Sequence, residues 1–149
     1  DLMDFLTGEI PDELIVNAIE ERNGYFSSDN VIITLKLNAG SIGTIIYYAN
    51  GHKRFPREYV EISGNGAVGS INNFIRSAVI KGRKRKIKLG FNVDRGHKDE
   101  IKTFINAIKE GINPNLGEDW YKVSLASIIA QDSLKNPSRV RKVTEDTWV

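Results

Sequence analysis

The chain contains no cysteine, one methionine, four prolines and two histidines in 149 residues. Without thiols there is no disulfide framework, no thiolate zinc site and no cysteine nucleophile, a pattern that suits a cytoplasmic protein. His52 and His97 have no H-x-x-x-H or H-E-x-x-H partner, so no metal site is expected. A G-x-S-x-G nucleophile elbow is missing as well. No apolar run approaches the roughly 20 residues of a membrane span, and no signal-peptide pattern occurs. Charge of one sign is also lacking: 21 basic and 19 acidic residues leave +2, which singles out no partner. What remains has the length of a single domain that buries roughly 70% of its unfolded surface.

Strand signals dominate the first 90 residues. Val31, Ile33, Leu35 and Leu37 alternate with polar positions, and Asn38-Ala39-Gly40 turns this run into Ile42–Ala49, predicting a hairpin. Tyr59–Ile62 follows, after the polar, basic connection Asn50–Glu58. Gly64-Asn65-Gly66 supplies the positive-φ positions of a tight turn, and Val68 and Ile71 lead on to Asn72-Asn73-Phe74. A further pair is read around Gly82, from Ala78–Ile80 and Ile87–Phe91. Pro11–Arg22 is ambiguous locally, since an acidic start suits a helix while the alternation of Leu14, Val16 and Ala18 suits a strand.

Gly64, Gly66 and Gly69 also spell G-x-G-x-x-G directly after a strand. That fingerprint binds a dinucleotide only where the last glycine opens a helix whose N-terminus holds the pyrophosphate. Ser70-Ile71-Asn72-Asn73 is a poor helix start, and the acidic residue wanted about 20 positions on is replaced by the basic run Lys81–Lys88. We read these glycines as turn chemistry.

Helical signals frame the strands. Asp1–Gly8 places Leu2, Phe5 and Leu6 on one face and stops at glycine, the pattern of a helix tail whose front lies outside the chain. Lys98–Glu110 carries Ile101, Phe104, Ile105 and Ile108 at helical spacing, with Asp94, Asp99 and Glu100 near its start, Lys109 near its end and Gly111 after it. Beyond Ile112-Asn113-Pro114-Asn115, a second helix is expected from about Glu118 to Lys135. Trp120, Val123, Ile128 and Leu134 are expected to point inward, among small residues such as Ala126, Ser127 and Ala130. Residues 136–149, closing with Trp148-Val149, are expected to form a loosely packed tail.

Candidate chemistry is sparse. The run from Lys81 to Lys88 holds six basic residues in eight. It reads either as a nucleic-acid patch or as a solvated hairpin whose charges discourage edge-to-edge pairing. No aromatic interleaving accompanies it, which favours the second reading. His97 sits at the expected helix start after Gly96 and reads as a capping or exposed imidazole. The connection after Tyr47-Tyr48 gathers His52, Lys53, Arg54 and Arg57, and loops carried on a rigid sheet are where binding residues concentrate. Those groups suit a hydroxylated or carboxylated ligand, with arginine giving bidentate contacts to a carboxylate; an ordinary wet loop accounts for them equally well.

Taken in order, the segments resemble one family. They are D-x-x-x-F-L-T-G from Asp1, then D-N-V-x-x-T-L-x-L-x-x-G-S-I-G-T-I-x-Y from Asp29, then Pro56-Arg57-Glu58 with Val60-Glu61-Ile62. Next come Asn72-Asn73-Phe74, the basic hairpin, and G-H-x-x-E-I-x-x-F-I-x-A-I-x-x-G from Gly96. This succession, running to about Lys135, is similar to the C-terminal domain of the glucose–fructose oxidoreductase / inositol dehydrogenase / rhizopine catabolism (Gfo/Idh/MocA) family, in particular to the branch fused to an alcohol-dehydrogenase-like region. The resemblance implies an α+β domain with an open, mostly antiparallel sheet and helices packed on one face. It also makes Leu14–Glu20 a strand.

For function, the resemblance implies an NAD(P)-dependent dehydrogenase acting on a sugar, polyol or related hydroxy compound. NAD or NADP would sit in an N-terminal Rossmann domain outside this chain, so residues 1–149 are not expected to bind it alone. The present domain would supply substrate contacts and, through its sheet face, a homo-oligomer interface. Many members carry an aspartate where Asp1 falls and a catalytic histidine four residues later, where this chain has Phe5, so Asp1 is the one catalytic candidate and the usual acid–base pair is incomplete. Tyr48, His52, Lys53 and Arg57 are the substrate-side candidates, chosen for placement and chemistry. A stand-alone scaffold module pairing through its sheet is the alternative, and nucleic-acid binding through residues 81–88 a weaker one.

Overall fold

Backbone pairing sorts the eight strands among the described residues into two four-stranded sheets, both antiparallel throughout. A computed structural model describes the chain except residues 22–23, 25, 91–92, 94, 113–117 and 145–149, with the backbone alone at 118–120. Asn23, where the dipeptide Asn23-Gly24 is a turn signal in the sequence, the expected strand end at Phe91, Asp94, the Asn113-Pro114-Asn115 connection, the side chain of Trp120 and the closing Trp148-Val149 lie outside the described residues. Two compact units are formed, one from Asp1–Gly51 with Asn115–Val149, the other from His52–Pro114.

In the first unit, β1 (Pro11–Ala18), β2 (Asn30–Leu37), β3 (Ile42–Tyr48) and β8 (Val140–Lys142) lie in the order β3-β2-β1-β8. The alternation read in Val31–Leu37 resolves into two faces. One carries Leu14, Val16, Leu35 and Leu37 and is covered by α3 (Glu118–Ser133) through Leu125, Ala126, Ile129 and Ala130. These residues, with Val143, form the core, and burying each large aliphatic side chain contributes about 1.5–3 kcal/mol. The other face carries Ile15, Ile32, Ile42, Ile46, Tyr48 and Val140, most of them exposed.

Three expectations need correction here. Within α3, Ile129 is 3% exposed while Ile128 is 47% exposed, so Ile128 faces away from the core and the helix meets the sheet through Leu125, Ala126, Ile129 and Ala130. A helix whose apolar residues surround it has no dominant stripe, and its phase is set by what it packs against. In α1 (Leu2–Thr7), the Leu2, Phe5 and Leu6 face is exposed and Met3 makes the core contact. Met3 fits because Gly43 leaves room: a Cβ there would lie 2.7 Å from the Met3 Cε.

Within residues 136–149, Val140–Lys142 pairs with β1 and Val143 is buried. What holds this segment is mainly polar and was invisible to hydrophobic patterning. The Ser138 and Val143 amides donate to the carbonyls of Val16 and Asp12 at 2.8 and 2.7 Å. Asp132, near the end of α3, accepts from Lys135 Nζ at 2.8 Å and from Arg141 at 3.3 Å, and these cations, Lys135 foremost, hold its carboxyl below the usual value of 3.8.

In the second unit, β4 (Tyr59–Gly64), β5 (Ala67–Asn72), β6 (Arg76–Lys81) and β7 (Lys84–Leu89) form a meander, followed by α2 (His97–Glu110). Asn65 and Gly66 both take positive φ, 49° and 72°, as a two-residue hairpin turn of the primed type requires. Gly64–Gly69 therefore joins two antiparallel strands, and no helix follows it. Gly82, with φ 57°, turns β6 into β7, so the basic run occupies a turn and the outer strand of this sheet. Those cations are all exposed and make no ion pair among the described residues, as edge-guarding charges would. The α2 helix runs as expected from His97 to Gly111, yet Ile101, Phe104, Ile105 and Ile108 are all exposed.

Candidate functional site

The polar connection between β3 and β4 is built by short-range hydrogen bonds. The Phe55 amide donates to the His52 carbonyl at 2.9 Å, closing a β-turn over His52–Phe55. The Arg54 amide donates to His52 Nδ1 at 3.3 Å, so that nitrogen serves as the acceptor and Nε2 is the ring's outward polar atom. Downstream, the Asn73 amide donates to the Glu58 carbonyl at 2.7 Å, extending the β4–β5 ladder back by one pair and anchoring the connection's exit.

Electrostatically, this connection carries Lys53, Arg54 and Arg57 against a single acid, Glu58. Arg95 occupies both oxygens of that acid at 3.3 Å. Lys53, Arg54 and Arg57 are exposed, and none makes a side-chain ion pair or hydrogen bond among the described residues. The result is a short turn with three cations and an imidazole Nε2 that have no side-chain partner among the described residues. Such a cluster recognises carboxylate or polyhydroxy groups through charge-assisted and bidentate hydrogen bonds.

His52, Lys53 and Arg57 thus share one short segment of the second unit. Tyr48 ends β3 in the first unit, and its neighbour Tyr47 points to the opposite face of that strand, so the two rings cannot serve one ligand together. Opposite Tyr48, on the same face, stands Asn30, which is 5% exposed and whose Nδ2 has no hydrogen-bond partner among the described residues. Asn30 follows Ser27-Ser28-Asp29, a stretch of turn formers just ahead of the Val31–Leu37 alternation, and nothing local signals a buried amide.

Asp1 is the residue before α1, and its carbonyl accepts the Phe5 amide at 2.9 Å. Its side chain makes no capping bond, and Phe5 is 83% exposed. His97 is the first residue of α2, exposed, with Nδ1 3.8 Å from Glu100. Among the described residues no group of His, Asp and Glu has the arrangement of a metal site, and no helix is long and apolar enough to cross a membrane. The residues present do not fit a nicotinamide dinucleotide either: the G-x-G-x-x-G glycines lie in a hairpin, where no helix N-terminus meets a pyrophosphate.

In fold the chain is similar to the C-terminal domain of Gfo/Idh/MocA-type oxidoreductases, an α+β architecture of antiparallel sheet and helices. The chain is similar over 96% of its length to 46% of an oxidoreductase from Agrobacterium radiobacter, solved with NAD+, L-tartaric acid and magnesium (TM-score 0.74, 16% identity). It is similar over 97% of its length to 47% of a levoglucosan dehydrogenase, solved with NADH and L-sorbose (TM-score 0.71, 17% identity). Over 94% it is similar to 43% of an aldose-aldose oxidoreductase from Caulobacter crescentus, solved with glycerol (TM-score 0.66, 14% identity). The chain therefore spans less than half the length of each of these structures. No family model and no curated protein matches it by sequence.

Proposed function

We propose that the chain is the substrate-side domain of an NAD(P)-dependent oxidoreductase acting on a sugar, polyol or related hydroxy compound. The observation that carries this reading is the fold. Nearly all of the chain is similar to under half of enzymes whose structures hold NAD+ or NADH together with a hydroxylated compound. A Rossmann domain in the remaining part of the polypeptide would hold the nicotinamide cofactor, which supplies hydride chemistry when bound. His52, Lys53 and Arg57 would contact the substrate, with Lys53 and Arg57 binding oxygen-rich groups and His52 Nε2 donating a hydrogen bond. Tyr48 would donate from its hydroxyl, and Asp1 would act near the reacting hydroxyl. The exposed sheet face of Ile15, Ile32, Ile46 and Val140 supports self-association, because contiguous apolar surface of that kind marks interaction sites.

Titration calorimetry tests the division of labour. The isolated chain is expected to bind NAD+, NADH, NADP+ and NADPH no better than background, whereas the intact protein binds one pair at micromolar levels. Micromolar binding by the isolated chain contradicts the proposal. Absence of binding by the intact protein favours a scaffold module instead.

A further inference from the structure

The passage from α1 into β1 is short and closely tied. Gly8 ends α1 in the left-handed conformation, φ 69°, with its amide donating to the Asp4 carbonyl at 2.7 Å. Only Glu9 and Ile10 separate this glycine from β1. On the strand side the backbone is pinned to the β2–β3 turn. The Asn38 amide donates to the Ile10 carbonyl at 3.0 Å, and the Ile10 amide donates to Asn38 Oδ1 at 3.2 Å. On the helix side the pin is the Glu9 side chain. Its carboxylate crosses to the same turn, accepting from the Ser41 hydroxyl at 2.6 Å and from the Ser41 amide at 3.1 Å. The Glu9 amide donates to the Thr7 hydroxyl at 3.1 Å, and that hydroxyl donates to the Met3 carbonyl at 2.8 Å. The Ser41 hydroxyl foremost, with the Ser41 and Ala39 amides, holds the Glu9 carboxyl below its usual 4.5 against partial desolvation, so it is ionised near neutral pH. Every residue of this joint belongs to the first unit.

Little else among the described residues orients α1. A helix of six residues is unstable unless docked, none of its residues is buried, and Leu2, Phe5 and Leu6 are exposed. Met3, packed against the core beside Gly43, anchors it to the sheet. One anchor leaves a helix free to tilt, and a glycine at its end is the most permissive hinge. Glu9 closes that hinge with a second attachment. At about 1.5 Å of rise per residue, Asp1 stands ~9 Å from Thr7 along the axis, so a tilt of roughly 10° at the Gly8 end moves it by ~1.5 Å. A misplacement of about 1 Å in a reacting group costs on the order of a hundredfold in rate.

We infer, on the reading above in which Asp1 acts near the reacting hydroxyl, that Glu9 is a positioning residue: by strapping the end of α1 to the β2–β3 turn, it fixes where the helix holds Asp1. Glu9 touches no reacting atom and acts through Asp1. A carboxylate that only stabilised the turn would change folding and leave turnover alone.

Kinetics of the intact protein test this, on a substrate found among sugars, polyols and hydroxy acids, with hydrogen exchange alongside. Glu9→Ala is expected to lower kcat roughly tenfold or more, while KM for substrate and cofactor stays within about twofold. Amide exchange across Leu2–Gly8 should accelerate roughly tenfold or more, with β1 and β2 unchanged. Glu9→Gln keeps an acceptor oxygen for the Ser41 hydroxyl and should recover most of the lost kcat. In an Asp1→Ala background, itself slowed, Glu9→Ala should cost less than about twofold more, since the group being placed is gone. Unchanged kcat in Glu9→Ala, a loss confined to KM, unaltered exchange, Glu9→Gln no better than Glu9→Ala, or full additivity with Asp1→Ala would each overturn the inference. Failure of the proposed function reads differently. There the parent turns over no substrate, or Asp1→Ala leaves kcat unchanged, and either result also removes the role assigned to Glu9.

Discussion

Substituting adjacent isoleucines in α3 puts the helix phase to a quantitative test. Ile129 is 3% exposed and packs among Leu14, Val16 and Leu35, whereas Ile128 is 47% exposed. Ile129→Ala deletes about three methyl or methylene groups at ~0.8 kcal/mol each, a transfer loss of ~2.4 kcal/mol. The cavity left between helix and sheet raises this to about 3–4 kcal/mol. Ile128→Ala loses roughly half of the transfer contribution and recovers part of it from the higher helix propensity of alanine, leaving a net cost below ~1 kcal/mol. At about 2–4 °C per kcal/mol for a chain of this size, Ile129→Ala should lower Tm by ~6–16 °C and Ile128→Ala by less than ~4 °C. Thermal melts followed by circular dichroism, with urea titrations alongside, read both effects. Equal losses, or a larger loss at Ile128, would refute the packing of α3 described above and restore the phase expected from its sequence.

Three further outcomes follow from the same structure. Gly66→Ala forces a side chain into the left-handed region at φ 72° and should cost about 1 kcal/mol in urea unfolding while leaving nicotinamide binding by the intact protein unchanged; a selective loss of cofactor affinity would revive the phosphate-loop reading. Asp132 is held below its ordinary value by Lys135 and Arg141, so its stabilising contribution is full above about pH 4 and disappears as pH falls through the lowered folded value. Asp132→Asn should therefore have a lower Tm near neutral pH and converge with the parent near pH 2; curves that stay parallel down to that pH would show the ion pairs to be immaterial. Arg57→Ala, which breaks no ion pair among the described residues, should leave Tm unchanged yet lower kcat/KM for the hydride transfer proposed for the intact protein roughly tenfold or more, the loss expected for a charged hydrogen bond to substrate.

Much of this architecture was legible residue by residue. The alternation in Val31–Leu37, the Asn65-Gly66 turn, the Gly82 turn and the Gly8 and Gly111 helix stops act through local backbone conformation, which sequence reports directly. The local pattern of Leu14–Ala18 wavered between helix and strand; family likeness decided it, and pairing to β2 and β8 explains it. The inward expectation held for Leu134, which packs against the core, but not for Ile128, which is as apolar as Ile129 beside it; only the partner sheet selects between the two. β8 went unseen because polar contacts hold it: Asp132 to Arg141, the Ser138 and Val143 amides, and the Ser138 hydroxyl to Asn17 at 2.7 Å. Division of the strands between two sheets was equally hidden, since the residue patterns on either side of Asn50–Glu58 are alike and only pairing tells them apart.

For the candidate site, the cationic turn was readable from composition, but its local wiring was not. Nothing in the order of residues foretold that Arg95 would occupy Glu58 and leave Lys53, Arg54 and Arg57 without an ion pair among the described residues. Tyr47 and Tyr48 look interchangeable as letters, yet strand alternation sends them to opposite faces.

The most direct measurement is hydride transfer by the intact protein, followed as nicotinamide reduction over a panel of sugars, polyols and hydroxy acids with NAD+ and with NADP+. The account predicts turnover of at least one polyhydroxylated substrate with one of the two cofactors, lost when residues 1–149 are removed. Turnover that survives their removal, or none across the panel by a protein that binds its cofactor, would contradict it.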